Sequence, residues 1–246
     1  VLYTDDSILA GPDDSELNQA IEGMRKATLK ITVEGSVSDF LGVNIQDMGD
    51  GRFHLSQPNL IQSIIDEIRL EAGERAPNIK TTPMSSSKLL SRHPDSEEFD
   101  GHFNTRRVVG KLNFLSDSTR ADISYATHQI ARFVSCPKKE HGEAVKWLVR
   151  YLIGTKDKGY YITPDPSKGM EVHVDSDLAG NWDLELAGID IDTARSRHGY
   201  IISYTGVPLV WKSSLHTECA FVKYRGRADR IVVVASYCYP TSTHSQ

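Results

Sequence analysis

Val1-Leu2-Tyr3-Thr4-Asp5-Asp6-Ser7-Ile8-Leu9-Ala10-Gly11 sets two short β-forming runs, Val-Leu-Tyr and Ser-Ile-Leu-Ala, around a pair of aspartates. Such a stretch reads as a β-hairpin with carboxylates at its tip. Beyond it Asp13, Asp14 and Ser15 supply helix N-cap chemistry, and Leu17, Ile21, Met24 and Leu29 come after them at roughly helical spacing. Two adjacent carboxylates on a tight tip offer oxygen ligands to a hard divalent cation, with Mg2+ the natural candidate. A pair of such ions stabilises both the attacking and the leaving oxygen of an in-line phosphoryl transfer. An Asp-Asp turn taken alone is most often simply solvated, so the rest of the chain has to carry the argument.

The chain has 246 residues, 39% apolar and 25% charged, with mean hydropathy -0.37. This is ordinary globular composition, enough for one or two cores. With 28 Lys+Arg against 33 Asp+Glu, the net charge of -5 excludes a globally basic nucleic-acid-binding surface and leaves room only for a local basic strip. Cys136, Cys219 and Cys238 are too few and too scattered for a disulfide framework or a zinc site, which points to a reducing compartment. No apolar run approaches the roughly 20 residues of a membrane helix, and no signal peptide is visible. The first residue is Val1, inside a strand-like run, as expected for an excerpt of a longer reading frame.

Further along, β signals occupy Lys30-Ile31-Thr32-Val33, then 40 to 45 and 53 to 55, the last two separated by an Asp50-Gly51 hairpin step. Pro58 starts an amphipathic helix to about 70, on Leu60, Ile61, Ile64, Ile65 and Ile68. From 71 to 101 the composition turns to Gly, Pro, Ser and charge, the best internal boundary. Helical patterns occupy about 104 to 118, 121 to 135 and 138 to 154, then strands 159 to 163, 171 to 174, 198 to 204 and 207 to 211, with a turn at Gly206. On the third of these helices Lys139, Lys146 and Arg150 fall near one face that could track a phosphate backbone, although Glu140 and Glu143 dilute the charge and a solvated face explains it equally well. Val172-His173-Val174-Asp175 places an aspartate at the end of a β run. His128 and His216 show no metal-ligand spacing and are expected to be structural.

Tyr3-x-Asp5-Asp6 between β runs resembles the catalytic hairpin of reverse transcriptases, and its continuation resembles the copia-type LTR retrotransposon Pol polyprotein. The resemblance runs in family order through Asp39-Phe40-Leu41-Gly42-Val43, Leu55-Ser56-Gln57, Thr82-Pro83-Met84, Val109-Gly110-Lys111-Leu112-Asn113-Phe114-Leu115, Thr119-Arg120-Ala121-Asp122-Ile123 and Glu140-His141 up to Thr155, covering about residues 1 to 218. It implies an α+β fold: a partial polymerase palm over 1–57, thumb and connection helices over 58–165, and a truncated RNase H-like β-sheet over 168–218. Asp5 and Asp6 would be two of three palm carboxylates holding Mg2+, Tyr3 would lie beside the primer end, and the hairpin from Phe40 to Gln57 would grip the primer. Asp175 would be the first RNase H carboxylate and a metal ligand. Lys139, Lys146 and Arg150 would contact nucleic acid.

The implied partners are an RNA/DNA hybrid or primer-template and the upstream Pol segments, with no membrane. The implied location is a cytoplasmic virus-like particle or the nucleus, without secretion. The family's third palm carboxylate and its fingers lie upstream of such a hairpin, so this stretch by itself is expected to be inactive. The chain departs from the pattern at Leu178, where Trp is usual, and at Ala121, where Pro is usual. After Glu218 the expected Glu-bearing segment is replaced by a stretch beginning Cys219-Ala220-Phe221-Val222-Lys223-Tyr224-Arg225. The genetic code permits Ala-Leu-Ser-Ser-Ser-Thr-Glu-Ala-Glu in a shifted frame there, so 219–246 is expected to be a frameshifted tail. Against the enzyme-fragment reading stand a non-catalytic nucleic-acid-binding remnant and a pseudogene product without function.

Overall fold

The computed structural model describes residues 2–3, 6–11, 13–27, 29–34, 37–68, 78–85, 90–92, 95–186 and 188–217. Asp5 and the 219–246 tail therefore lie outside the described residues. Leu2–Tyr3 (β1) pairs antiparallel with Asp6–Ser7 (β2), Tyr3 opposite Asp6. Asp6 thus opens the second strand instead of sitting at the tip, and that strand stops at Ser7, short of the expected Ile8-Leu9-Ala10. Next comes Asp14–Lys26 (α1), capped where Asp13 Oδ1 accepts from the Ser15 amide at 2.7 Å. It buries no residue.

Asp39–Phe40 (β3), Val43–Asp47 (β4) and Phe53–Ser56 (β5) form an antiparallel sheet. The run expected as one strand from Phe40 to Ile45 is folded back at Leu41-Gly42, both at positive φ (52° and 74°), as a tight two-residue hairpin requires. Gly42 makes that turn feasible. The strand expected at Lys30-Ile31-Thr32-Val33 does not form, because no described strand lies beside it to take its backbone hydrogen bonds.

Pro58–Ile68 (α2), Thr105–Ser118 (α3), Ser124–Ala131 (α4) and Lys139–Ile153 (α5) build the core. Ile61, Ile64 and Ile65 of α2 meet Val108, Leu112 and Leu115 of α3 there, with Ile130 of α4 and Leu148 and Leu152 of α5. The helix expected from 121 to 135 is shorter: a 3-10 turn, Ala121–Ile123, precedes α4, which ends at Ala131. The stretch expected as a linker is partly fixed to this core, with Leu90 buried and Phe99 packed against it. Gly142 lies under the Phe99 ring, where a Cβ would collide.

Tyr160–Ile162 (β6) pairs with β5, making a four-stranded sheet in the order β3-β4-β5-β6. Gly159 permits that junction, since a Cβ there would strike the Leu55 carbonyl. Met170–Ser176 (β7), Arg197–Tyr204 (β8) and Val207–Leu215 (β9) form a separate antiparallel sheet in that order. Thr205 and Gly206, at φ 51° and 77°, close its hairpin. The chain is thus α+β, with five helices and antiparallel sheets among the described residues.

One polar network holds the helices in register. Arg120, 1% exposed, donates from Nε and Nη2 to both oxygens of Asp122 at 2.9 Å, and from Nη1 and Nη2 to the Thr155 carbonyl and hydroxyl at 3.0 and 2.8 Å. Asp122 also accepts from the Tyr151 hydroxyl at 2.6 Å and from the Lys158 ammonium at 3.2 Å. Burial pushes the Asp122 pKa up, but Arg120, Tyr151 and Lys158 outweigh it and hold the carboxylate well below its usual range. Thr119 Oγ1 donates to Gln57 Oε1 at 2.9 Å, fastening the start of α2 to the end of α3.

Replacing Arg120 by Ala strands the Asp122 charge and the Thr155 oxygens, and should cost about 3–5 kcal/mol, measured by urea unfolding. Arg120→Lys should recover little, since an ammonium cannot reproduce the fork. Ala121 is exposed and opens a 3-10 turn, where proline's fixed φ fits. Ala121→Pro should therefore raise stability by about 0.4–1 kcal/mol, seen as a higher Tm.

Candidate nucleic-acid interface

The structure brings Tyr3 and Asp6 together as cross-strand partners, on a two-stranded unit that shares no sheet with the other described strands. Asp175 sits elsewhere, near the end of β7 opposite Gly199, and is exposed. Asp177, two residues on, is occupied by the backbone, its Oδ1 accepting from the Arg197 amide at 2.6 Å. Among the described residues no group of three or more His, Cys, Asp or Glu side chains could hold a metal ion. A hard divalent cation needs several converging oxygens, so the described residues around Asp175 do not fit Mg2+.

Helix α5 carries Lys139, Lys146 and Arg150, and the fold sets acids against two of the three. Lys139 Nζ meets Glu97 Oε2 at 2.6 Å, and Lys146 Nζ meets Glu143 Oε1 at 3.0 Å. The mutual hydrogen bond raises the Lys139 pKa and lowers that of Glu97. Lys138 pairs with Glu98. Arg150 is half-buried and makes no ion pair with a described residue. A phosphate backbone would have to compete with Glu97 and Glu143 for Lys139 and Lys146, exchanges of small cost because exposed pairs are weak.

His141 is buried at the start of α5. Its Nδ1 accepts from the Lys138 amide at 2.9 Å, so Nε2 carries the proton and donates to the Ser91 carbonyl at 3.0 Å. The ring stacks on Phe133 at 4.0 Å. The Glu140-His141 motif thus marks that cap, not a catalytic group. Arg120 and Asp122 were equally legible only as motif letters, since their partners Tyr151 and Thr155 are about 30 residues away.

The sheet bearing Asp175 is mounted on α3 and α4 by directed contacts. Trp211 Nε1 donates to the Ser116 carbonyl at 2.8 Å, and its ring meets Tyr160 edge to face at 5.7 Å. Arg132 joins Asp192 at 3.1 Å and lies 3.6 Å from the buried Asp190. Arg197, 8% exposed, lies over the Tyr125 ring at 4.8 Å and donates from Nη1 to Ser213 Oγ and to His128 Nδ1, both at 3.2 Å. His128 is therefore neutral. Burial, then the charges of Arg197, Arg132 and Lys212, push its pKa down to about 4, against a smaller upward pull from Asp192.

That depression makes the docking acid-sensitive. The unfolded chain takes up the His128 proton near 6.5 while the folded chain resists it until about 4, so stability is greatest above 6.5 and is lost as pH falls through that window. Unfolding midpoints should drop between pH 7 and pH 4.5, and His128→Gln, which still accepts from Arg197, should flatten that part of the profile. An unchanged slope would remove His128 as its source.

No protein-family model and no solved structure matches the chain. Among curated proteins it is similar to the retrovirus-related Pol polyprotein from transposon RE1 of Arabidopsis thaliana, 28% identical over 213 residues, 87% of this chain and 13% of that one. It is similar to the retrovirus-related Pol polyprotein from transposon TNT 1-94 of Nicotiana tabacum, 29% identical over 222 residues, 87% of this chain and 16% of that one. The uncharacterized mitochondrial protein AtMg00810 of Arabidopsis thaliana is 30% identical over 231 residues, 89% of this chain and 87% of its own length. The chain thus spans about a seventh of the two polyproteins and nearly all of the mitochondrial protein. With these relatives aligned across the helical core, the capped α5 and the Asp175 sheet alike, the chain belongs to the copia-type family of retrovirus-related transposon Pol polyproteins.

Proposed function

We propose that this retrotransposon-derived chain is the C-terminal part of a reverse transcriptase joined to the start of an RNase H, and that it performs neither reaction alone. The observation that carries the assignment is the Tyr3/Asp6 hairpin pairing in a chain of this family. Asp5 and Asp6 are the carboxylates that would hold Mg2+ in a complete palm, and the cation would supply charge neutralisation at the transferring phosphoryl group. Tyr3, beside Asp6 on the facing strand, would position the primer end. Asp175 would be the first carboxylate of hybrid-RNA hydrolysis, and the four-stranded sheet and helices would be primer grip, thumb and connection.

Two features support inactivity of the chain alone. The hairpin strands are two residues each and lead into a helix with no buried residue, so little among the described residues braces the tip. Asp175 belongs to no group of three or more His, Cys, Asp or Glu side chains among them that could hold a metal ion. An RNA/DNA hybrid or primer-template is the partner, engaged with other Pol segments.

The test is primer extension with Mg2+. The chain alone should give no product, whereas a copia-type polymerase in which residues 1–165 of this chain replace the equivalent segment should extend, and Asp5→Asn or Asp6→Asn should take it to background. A chimera that extends equally well with both aspartates replaced would refute the assignment.

A further inference from the structure

Asp175 and Asp177 stand two positions apart at the end of β7, and the ladder to β8 treats them differently. Asp175 is exposed and lies opposite Gly199, inside the paired strand. The last strand pair is Ser176 with His198. One step further the Asp177 amide donates to the Arg197 carbonyl at 3.0 Å, and the Arg197 amide donates at 2.6 Å to Asp177 Oδ1. Facing residues of a regular antiparallel pair exchange two backbone bonds, so this carboxylate oxygen takes the place of a main-chain carbonyl. The backbone is thereby released to turn. Ala179, at φ 48°, donates to Ser196 Oγ at 3.3 Å and accepts from the Trp182 amide at 2.8 Å. That turn wraps the carboxylate closely, since a Cβ on Gly180 would fall 2.2 Å from Asp177 Oδ2. Arg197 is fixed at its other end by Tyr125 and His128 of α4 and by Ser213 of β9.

We propose that Asp177 is a positioning residue for Asp175: its side-chain oxygen closes the β7–β8 ladder two residues beyond Asp175 and, through Arg197, ties that strand end to α4. The inference rests on the RNase H reading given above, and it gives the two aspartates unequal parts. Asp175 faces the RNA of a hybrid, whereas Asp177 works only through the backbone. Accepting from an amide needs an oxygen at Oδ1 and not a negative charge, so a carboxamide at 177 can do the same work. Without that oxygen the Arg197 amide loses its partner, and the strand end that carries Asp175 opens more often. A working side chain displaced by about 1 Å can cost roughly a hundredfold in rate, which is why such a clamp matters to a residue it does not touch.

The test has two arms. In the full chain, amide hydrogen exchange read residue by residue should speed up about tenfold at the Arg197 amide in Asp177→Ala, the loss of one hydrogen bond. Gly180→Ala, whose added Cβ pushes the carboxylate aside, should do the same, and Asp177→Asn should leave that amide protected. The second arm is hydrolysis of RNA in a hybrid by a copia-type Pol protein in which residues 1–217 of this chain replace the equivalent segment. There Asp177→Ala should lower kcat about a hundredfold at unchanged KM, Asp177→Asn should keep the parent rate, and Asp175→Asn should fall to background. A loss on Asp177→Asn equal to that on Asp175→Asn would make Asp177 a second working carboxylate and overturn the proposal. So would an Arg197 amide indifferent to Asp177→Ala, or a parental rate in Asp177→Ala. A parent chimera indifferent to Asp175→Asn would overturn the RNase H reading, and the positioning role with it, while the exchange arm alone decides whether the clamp exists.

Discussion

The Arg120 fork is the contact from which the rest of the architecture is hung. A guanidinium buried to 1% exposure is tolerable only if its charge is met and its donors are used, and Asp122 with Thr155 does both. The pair sits between α3 and α4, while Thr155 and Tyr151 belong to the end of α5, so one interaction sets where three helices meet. It also sets where the chain leaves α5 to enter β6, and hence where the hairpin sheet joins the helices. The Thr119-Gln57 bond extends the same lock to α2. Apolar packing supplies most of the driving force in this core, but it is non-directional, and the polar network decides the register.

Electrostatics outside that lock are largely self-cancelling. On α5 the lysines that could have formed a cationic strip are held by Glu97, Glu98 and Glu143, consistent with an overall charge of -5. At the mounting of the second sheet the balance runs the other way. Arg197 has no carboxylate on its side chain among the described residues and is accommodated by a neutral histidine, a serine and an aromatic face. Burial first, and then the charges of Arg197, Arg132 and Lys212, keep His128 neutral there.

The second sheet shows what an incomplete layer looks like. Its inner face is engaged by α3 and α4 through Trp211 and Arg197, while Met170, Val174, Tyr204 and Val210 lie at 49–69% exposure on the other. A sheet normally buries one face against another layer.

Much of this was legible in the sequence. The isoleucine spacing marked α2, the Asp-Gly and Gly206 steps marked hairpins, and the motif order led to the family. Local signals of that kind act within a few residues, through φ preferences and periodicity. What they mis-assigned was also local. The run from Phe40 to Ile45 hides a turn that only positive φ at Leu41 and Gly42 reveals, and Lys30 to Val33 has strand composition but no described neighbour to pair with. The tertiary structure alone decided that Arg120, Asp122 and His141 are fastenings, that two of the α5 cations are matched by acids, and that Asp175 stands exposed outside any cluster of three or more metal-ligating side chains among the described residues. Those outcomes depend on groups tens of residues apart meeting at hydrogen-bond distance, and desolvation and charge pairing at such a meeting are properties of the packed chain, not of any stretch of its sequence.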